Sequence, residues 1–379
     1  MDDVYKQSLE LHRKHHGKIE VVSKVLLTNK AELSLAYTPG VAEVCREIGR
    51  DAELAYDYTI KGNTVAIVSD GSAILGLGNL GAHAAIPVME GKAAIFKEFA
   101  GIDAFPICVN TQDVDEIIAL VKNIAPVFGA VNLEDISAPR CFEIEERLRA
   151  ELPIPVMHDD QHGTAVVVLA GLINALKLRG SKKEVVRVVM SGAGAAGTAI
   201  TKLLLAYGFK NFIVCDSKGA VYEGRGDLNF EKEALARITN HDKQGGTLAE
   251  VLAGADIFIG VSKGGLLTAE MVRTMAEKPI IFALANPVPE IMPDLAKEAG
   301  AFVVATGRSD FPNQINNALV YPGIFRGALD HRIKQFTEAM FLRSAEALAA
   351  HVTDPEPNQV LPPLFDKGIV AVVKDAIRD

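Results

Sequence analysis

Residues 185–216 read VVRVVMSGAGAAGTAITKLLLAYGFKNFIVCD, and the order of patterns in this stretch decides the fold. An apolar, β-branched run ends at Ser191 and passes directly into Gly192-Ala193-Gly194-Ala195-Ala196-Gly197. Residues 198–207 predict a helix, and NFIVCD predicts a second strand closed by Asp216. Strand, glycine turn, helix and strand in that order make the βαβ unit whose backbone admits a pyrophosphate at a helix N-terminus. Asp216 lies roughly 20 residues past the first glycine, where an acid accepts hydrogen bonds from a ribose diol. The stretch therefore predicts a dinucleotide site with Gly192, Gly194, Ala195, Ala196, Gly197 and Asp216 against the cofactor. An acid favours the free 2′-hydroxyl of NAD, while Ser217 and Lys218 beside it leave room for the 2′-phosphate of NADP.

Further strand-like runs follow at 256 (DIFIGVS), 279 (PIIFALANP) and 301 (AFVVATG), completing a doubly wound parallel sheet. An earlier series, TVAIVS (64–69), AFPICV (104–109), VFGAVNL (127–133) and IPVM (154–157), alternates with helical stretches in the same way. The fold class is α/β. An N-terminal α/β catalytic domain is expected over 1–162, and a Rossmann-type NAD(P)-binding domain with C-terminal helices over 163–379. The run TAVVVLAGLINALK (164–177) at the boundary predicts a helix too short to span a membrane. Residues 333–351, a Pro-rich connector TDPEPNQVLPP and a last amphipathic piece read as packing.

Composition narrows the function classes. A chain of 379 residues with 49% hydrophobic and 23% charged residues is an ordinary globular protein of two or more domains. Its net charge of −9 has the wrong sign for a nucleic-acid partner. Cys45, Cys108, Cys141 and Cys215 are too far apart for a CxxC clamp and read as reduced thiols. The charged amino terminus lacks the apolar core of a secretory signal, and no stretch reaches about 18 apolar residues, so a cytoplasmic protein without a membrane partner is expected.

A second glycine motif, Gly76-Leu-Gly78-Asn-Leu-Gly81, stands several residues beyond its strand, and no acid closes the strand that follows. It reads as a turn packing helix against sheet. Carboxylates are informative where apolar strands deliver them. Glu134 and Asp135 follow VFGAVNL, and Asp159 and Asp160 follow IPVMH, so both pairs sit at the carboxyl ends of predicted buried strands, where open α/β sheets bind ligands. Such a set is either a site for a hard divalent cation, Mg²⁺ or Mn²⁺, or a group of helix caps and loop ion pairs. Glu134 and Asp135 can share one cation only if the backbone turns there, which Ile136-Ser-Ala-Pro139 permits. His158 and His162 read as hydrogen-bond partners of acids, not ligands. By pattern alone Lys92, in EGKAAIFKEF, is a solvated helical lysine and Tyr37 a turn-packing aromatic.

Seven ordered motifs combine these pieces: YTPGV (37–41), SDGSAILGLGNLGAHAAIPVMEGK (69–92), LEDI (133–136), HDDQHGT (158–164), the Gly192 turn, ANP (285–287) and NQINN (313–317). The chain resembles the malic enzymes of the short bacterial type over essentially its whole length. That resemblance implies oxidative decarboxylation of L-malate to pyruvate and CO₂ with NAD(P)⁺ and a divalent metal, in a homodimer with sites near the interface. It implies Glu134, Asp135 and Asp160 as metal ligands, Asp159 behind them, Lys92 as general base and Tyr37 as general acid. Asn286 and Asn317 are implied near substrate and nicotinamide, with Asn316 adjacent. Larger members carry an arginine for a malate carboxylate where this chain has Ala73, so another donor is required. A neutral Lys92 needs its pKa lowered from about 10.4, which burial and a nearby cation both favour. An oxidation that stops at the keto acid, and a decarboxylation that recycles bound NAD, remain open alternatives.

Overall fold

The computed structural model describes residues 2–378. Strands β1 (Thr64–Ser69), β2 (Asp103–Cys108), β3 (Ala130–Leu133) and β4 (Val156–His158) form a parallel sheet in the order β2-β1-β3-β4. Every residue of β1 is buried because both faces of the sheet are covered, which is why its sequence is a continuous apolar run. The period of two sorts its side chains. Val65 and Ile67 join Met89 and Phe96 of the helix Ala82–Ala100, whereas Ala66 and Val68 join Ile117, Ile118 and Ile144 of the helices on the opposite face.

Strands β5 (Arg187–Ser191), β6 (Asn211–Asp216), β7 (Gly219–Ala220), β8 (Ile257–Gly260), β9 (Ile280–Ala283) and β10 (Val303–Thr306) form the second sheet, ordered β10-β9-β8-β5-β6-β7. The five predicted strands are parallel, and the two-residue β7 adds an antiparallel flap on β6. Strand order reverses at β5, with β6 on one side and β8 on the other; in the first sheet it reverses at β1, between β2 and β3. Open α/β sheets bind ligands outside the strand ends at such switch points. Both point to the same cleft.

The helix Asp159–Arg179 joins the sheets and starts five residues before the predicted run, because β4 feeds straight into it. At 21 residues it is long and apolar enough to cross a membrane by length and composition, contrary to the sequence expectation. It lies instead inside the protein: Val166 to Ala170 are fully buried, and Gly171 leaves room for Phe282 of β9.

The C-terminal helices Tyr321–Asp330, Glu338–Ala350 and Ile369–Ala376 return to the first sheet. Phe96 meets Tyr321 at 4.8 Å and Phe325 at 5.4 Å between ring centroids, and Arg326 donates to Asn63 Oδ1 at 2.6 Å. The amino-terminal helices behave differently. Lys30–Ala36 and Val41–Arg50 bury no residue, and Val21, Leu26, Leu35 and Tyr37 stand exposed. All four cysteines are free thiols.

Candidate active site

The helix Ala82–Ala100 carries its buried residues Ala85, Met89, Lys92, Ala93 and Phe96 on one stripe, at the i, i+4, i+7, i+8 and i+11 spacing of a single helix face. Lys92 therefore enters the protein with the core residues and is only 6% exposed. Its Nζ lies 2.8 Å from Glu134 Oε1 and 2.5 Å from Asp159 Oδ2, and 4.1 Å above the centre of the Tyr321 ring. Burial works against the ammonium charge, but Asp159 and Glu134 outweigh it and hold the Lys92 pKa above its ordinary value. Burial also raises both acids against the pull of Lys92, Asp159 to about 6.

Asp135 ends the strand in a left-handed backbone conformation, φ +54°, and this is the turn that lets two successive acids face one cleft. Its N–H donates to Asp160 Oδ2 at 2.9 Å, and its carbonyl accepts from the Ala73 N–H at 2.9 Å. Burial, then Asp160 and Glu134, push the Asp135 carboxyl up to about 8; burial raises Asp160 as well. Asp135 Oδ2 is buried without a hydrogen-bond partner. Among the described residues no three His, Cys, Asp or Glu side chains stand arranged to hold a metal, Glu134 being turned to Lys92. The donor set nevertheless fits a hard cation: three carboxylates raised by burial, one of them, Asp135, with an orphaned buried oxygen, line a cleft of about 510 Å³. His158 Nε2 lies 3.3 Å from Asp160, with its pKa lowered by burial, and His162 Nε2 lies 2.9 Å from Glu145.

Asn286, Asn316 and Asn317 also line this cleft, Asn317 beside Gly163 of the helix that begins at Asp159. Asn316 Oδ1 is used as a cap, accepting the Ala318 N–H at 2.9 Å, which distinguishes the two neighbouring amides. Lys92 is the single basic residue among those lining the cleft. Gly76 of the first glycine motif reaches across: a Cβ there would stand 2.5 Å from the Asn286 carbonyl oxygen. That turn thus reaches Asn286, while its other end ties the start of the helix Ala82–Ala100 to the loop leaving β1, the Leu80 and Gly81 N–H groups donating to the Gly71 carbonyl at 3.2 and 3.0 Å. Tyr37 does not line the cleft and is 68% exposed.

The Gly192 turn opens into a second cavity of about 580 Å³, lined by Gly192, Gly194, Asp216, Lys218, Lys232 and Lys263 among others. Gly197 is demanded by the fold, since a Cβ would lie 1.9 Å from the Gly192 oxygen. A Cβ on Gly194 would meet no protein atom, so glycine there leaves open the approach to the N-terminus of the helix Ala195–Tyr207, which has no side-chain cap. This is the cradle a pyrophosphate requires. Ala196 lines the main cleft. Asp216 is not free as the sequence suggested: Oδ1 accepts from Arg225 Nη1 and the Lys218 N–H, both at 3.0 Å, and Oδ2 from Arg225 Nη2 at 2.5 Å and Lys232 at 2.6 Å. Although burial opposes it, Arg225 and Lys232 hold its carboxyl well below the ordinary value.

Three residues escaped the sequence reading. Tyr321 packs on Lys92, while Arg225 and Lys232 occupy Asp216. For Lys92 itself the signal was present, because it falls on the apolar stripe of its helix.

A dinucleotide cradle opening toward a buried lysine–carboxylate cluster defines a two-domain oxidoreductase with a nicotinamide cofactor. Residues 16–149 match the malic enzyme N-terminal domain and residues 161–373 the malic enzyme NAD binding domain. The chain is 57% identical over 374 residues to a bifunctional malic/malolactic enzyme of Bacillus subtilis, covering 98% of this chain and 91% of that one. It is 57% identical over 363 residues to an NAD-dependent malic enzyme of Geobacillus stearothermophilus, covering 95% and 76%. The solved NAD-dependent malic enzyme of Thermotoga maritima superposes with a TM-score of 0.95 at 52% identity, covering 97% and 98%. The chain belongs to the malic enzyme family.

Proposed function

We propose that this protein oxidatively decarboxylates L-malate to pyruvate and CO₂ with NAD⁺ or NADP⁺, using Mg²⁺ or Mn²⁺ held by Glu134, Asp135 and Asp160. The observation that carries this reading is the burial of Lys92 between Glu134 and Asp159, in a cleft that Asn286 and Asn317 also line. When bound, the divalent cation supplies Lewis acidity at the oxygens of malate and the nicotinamide accepts the hydride from C2. Lys92 takes the C2 hydroxyl proton. Asp159, 2.5 Å from Lys92 Nζ, would share the lysine's proton, and Asp135 and Asp160 would hold the positive charge that favours a neutral Lys92. Asn286 and Asn317 donate amide hydrogens to the substrate in place of the arginine absent at Ala73. Asp216, already ringed by Arg225, Lys232 and Lys218, admits either a ribose diol or a 2′-phosphate, whichever cofactor is present.

Protonation of C3 needs an acid, and Tyr37 fills that role from a second protomer. The amino-terminal segment supports a homodimer: Val21, Leu26, Leu35 and Tyr37 form an exposed apolar run that a second copy would cover. The working division of the chain is a catalytic unit over 1–162 and a cofactor unit over 163–379, acting in the cytoplasm on small molecules. Mixing inactive Tyr37→Phe and Lys92→Met proteins tests the shared site. After subunits reassort, about a quarter of wild-type malate turnover is expected, since half the dimers are mixed and each regains one of its two sites. A mixture as inactive as its parents means that Tyr37 does not act across the interface.

A further inference from the structure

Asp70, Ser72 and Arg140 form a charged cluster outside the main cleft, between the loop that leaves β1 and the turn that leaves β3. Asp70 is buried; its Oδ1 accepts from the Ser72 N–H at 2.9 Å and the Ser72 hydroxyl at 2.6 Å, and its Oδ2 accepts from Arg140 Nη2 at 2.8 Å. The Ser72 oxygen in turn accepts from Arg140 Nη2 and from the Ser137 N–H, each at 2.9 Å. One donated and two accepted bonds use the full capacity of that hydroxyl, so its position is fixed from three directions.

The turn held in this way contains Asp135. Three bonds tie its backbone down: the Asp135 N–H to Asp160, the Asp135 carbonyl to the Ala73 N–H, and the Ser137 N–H to Ser72. The last two come from the loop 70–73. A non-glycine residue at φ +54° persists only where its surroundings over-determine it, and buried Asp70, paired with the partly exposed Arg140, provides that rigidity.

We infer that Ser72 and Arg140 are positioning residues: through the turn 135–137 they aim the Asp135 carboxylate into the cleft and thereby set the affinity for the divalent cation. This rests on reading Glu134, Asp135 and Asp160 as its ligands. Ser72 contributes the contact and Arg140, pinned by Asp70, fixes Ser72. Neither lines the cleft, so neither touches substrate.

The test is a Mn²⁺ titration of the purified protein, followed by the loss of the free-ion electron paramagnetic resonance signal, with 5′-ADP binding measured in parallel at the Gly192 cavity. Ser72→Ala removes one hydroxyl, leaves the Ser137 N–H without its acceptor, and should weaken Mn²⁺ binding about tenfold. Affinity for 5′-ADP should stay within about twofold, because the second sheet is untouched. Because Arg140→Met strands buried Asp70, Arg140→Lys is the companion variant: it keeps a cation beside Asp70, loses the fixed guanidinium fork, and should shift Mn²⁺ affinity in the same direction. Mn²⁺ binding by Ser72→Ala equal to wild type, or a parallel loss of 5′-ADP affinity, overturns the positioning role. Wild-type protein that binds 5′-ADP and no Mn²⁺ overturns the ligand reading and this inference with it.

Discussion

Replacing Lys92 by Met keeps the length of the side chain and removes its charge. Two ion pairs, at 2.8 and 2.5 Å, are lost in a place where Lys92, Glu134 and Asp159 are all buried. Removing one partner from a buried charge cluster costs about 3–5 kcal/mol, because the remaining charges are left without compensation. Here the deficit depends on pH. Without Lys92, Glu134 and Asp159 keep folded pKa values above their unfolded values near 4, so the penalty is small below that pH and grows as pH rises through the folded values. Urea unfolding of Lys92→Met should therefore show a larger loss at pH 8 than at pH 5. Loss of a general base removes about 10²- to 10⁴-fold in rate, read as cofactor reduction at 340 nm, while 5′-ADP binding stays at its wild-type strength. Malate turnover within tenfold of wild type would refute the base assignment. A stability loss of the same size at both pH values would refute the charged arrangement around Lys92.

The cofactor side yields three further expectations. Lys232→Met should lose about tenfold in affinity for 2′,5′-ADP with no loss for 5′-ADP, by calorimetry, and equal loss of both would remove Lys232 from the choice of cofactor. Gly194→Val should fold as stably as wild type and lose 5′-ADP binding, whereas Gly197→Ala should unfold at lower temperature, because only the second Cβ collides with the backbone. Asp216 has a folded pKa held below its unfolded value near 3.9, so its stabilising contribution is full above that pH and is lost as pH falls toward the folded value. The stability advantage of wild type over Asp216→Asn should thus be present at pH 7 and fade below pH 4; an advantage independent of pH would contradict the Arg225 and Lys232 pairing.

Local pattern carried the strands well. β1 and β6 lie at 64–69 and 211–216, where apolar runs bounded by turn residues put them, because burial on both faces leaves a continuous signature in the sequence. The motif around Gly192 was legible because strand, turn and helix are contiguous in the sequence and Gly197 answers to Gly192 itself, although Gly192 answers to the distant Val261. What escaped depends on distant partners. Nothing near Asp216 announces that Arg225 and Lys232 will occupy both of its oxygens, and nothing near Arg140 announces Asp70. The turn after Glu134 was foreseen as a requirement, but the left-handed residue proved to be Asp135 itself and not the following Ile136-Ser-Ala-Pro139. Lys92 was misjudged by pattern because lysines on helices are usually solvated, although its place on the Met89–Phe96 stripe was readable.

One measurement tests the proposed metal-dependent oxidative decarboxylation of L-malate as a whole. Purified protein is given L-malate with NAD⁺ or NADP⁺ and Mn²⁺, and reduced cofactor and trapped CO₂ are followed together, before and after chelation. Equal amounts of reduced cofactor and CO₂ are expected, both abolished by the chelator and restored by Mn²⁺. CO₂ released without net reduced cofactor, or reduction that persists without metal, would contradict the proposed reaction.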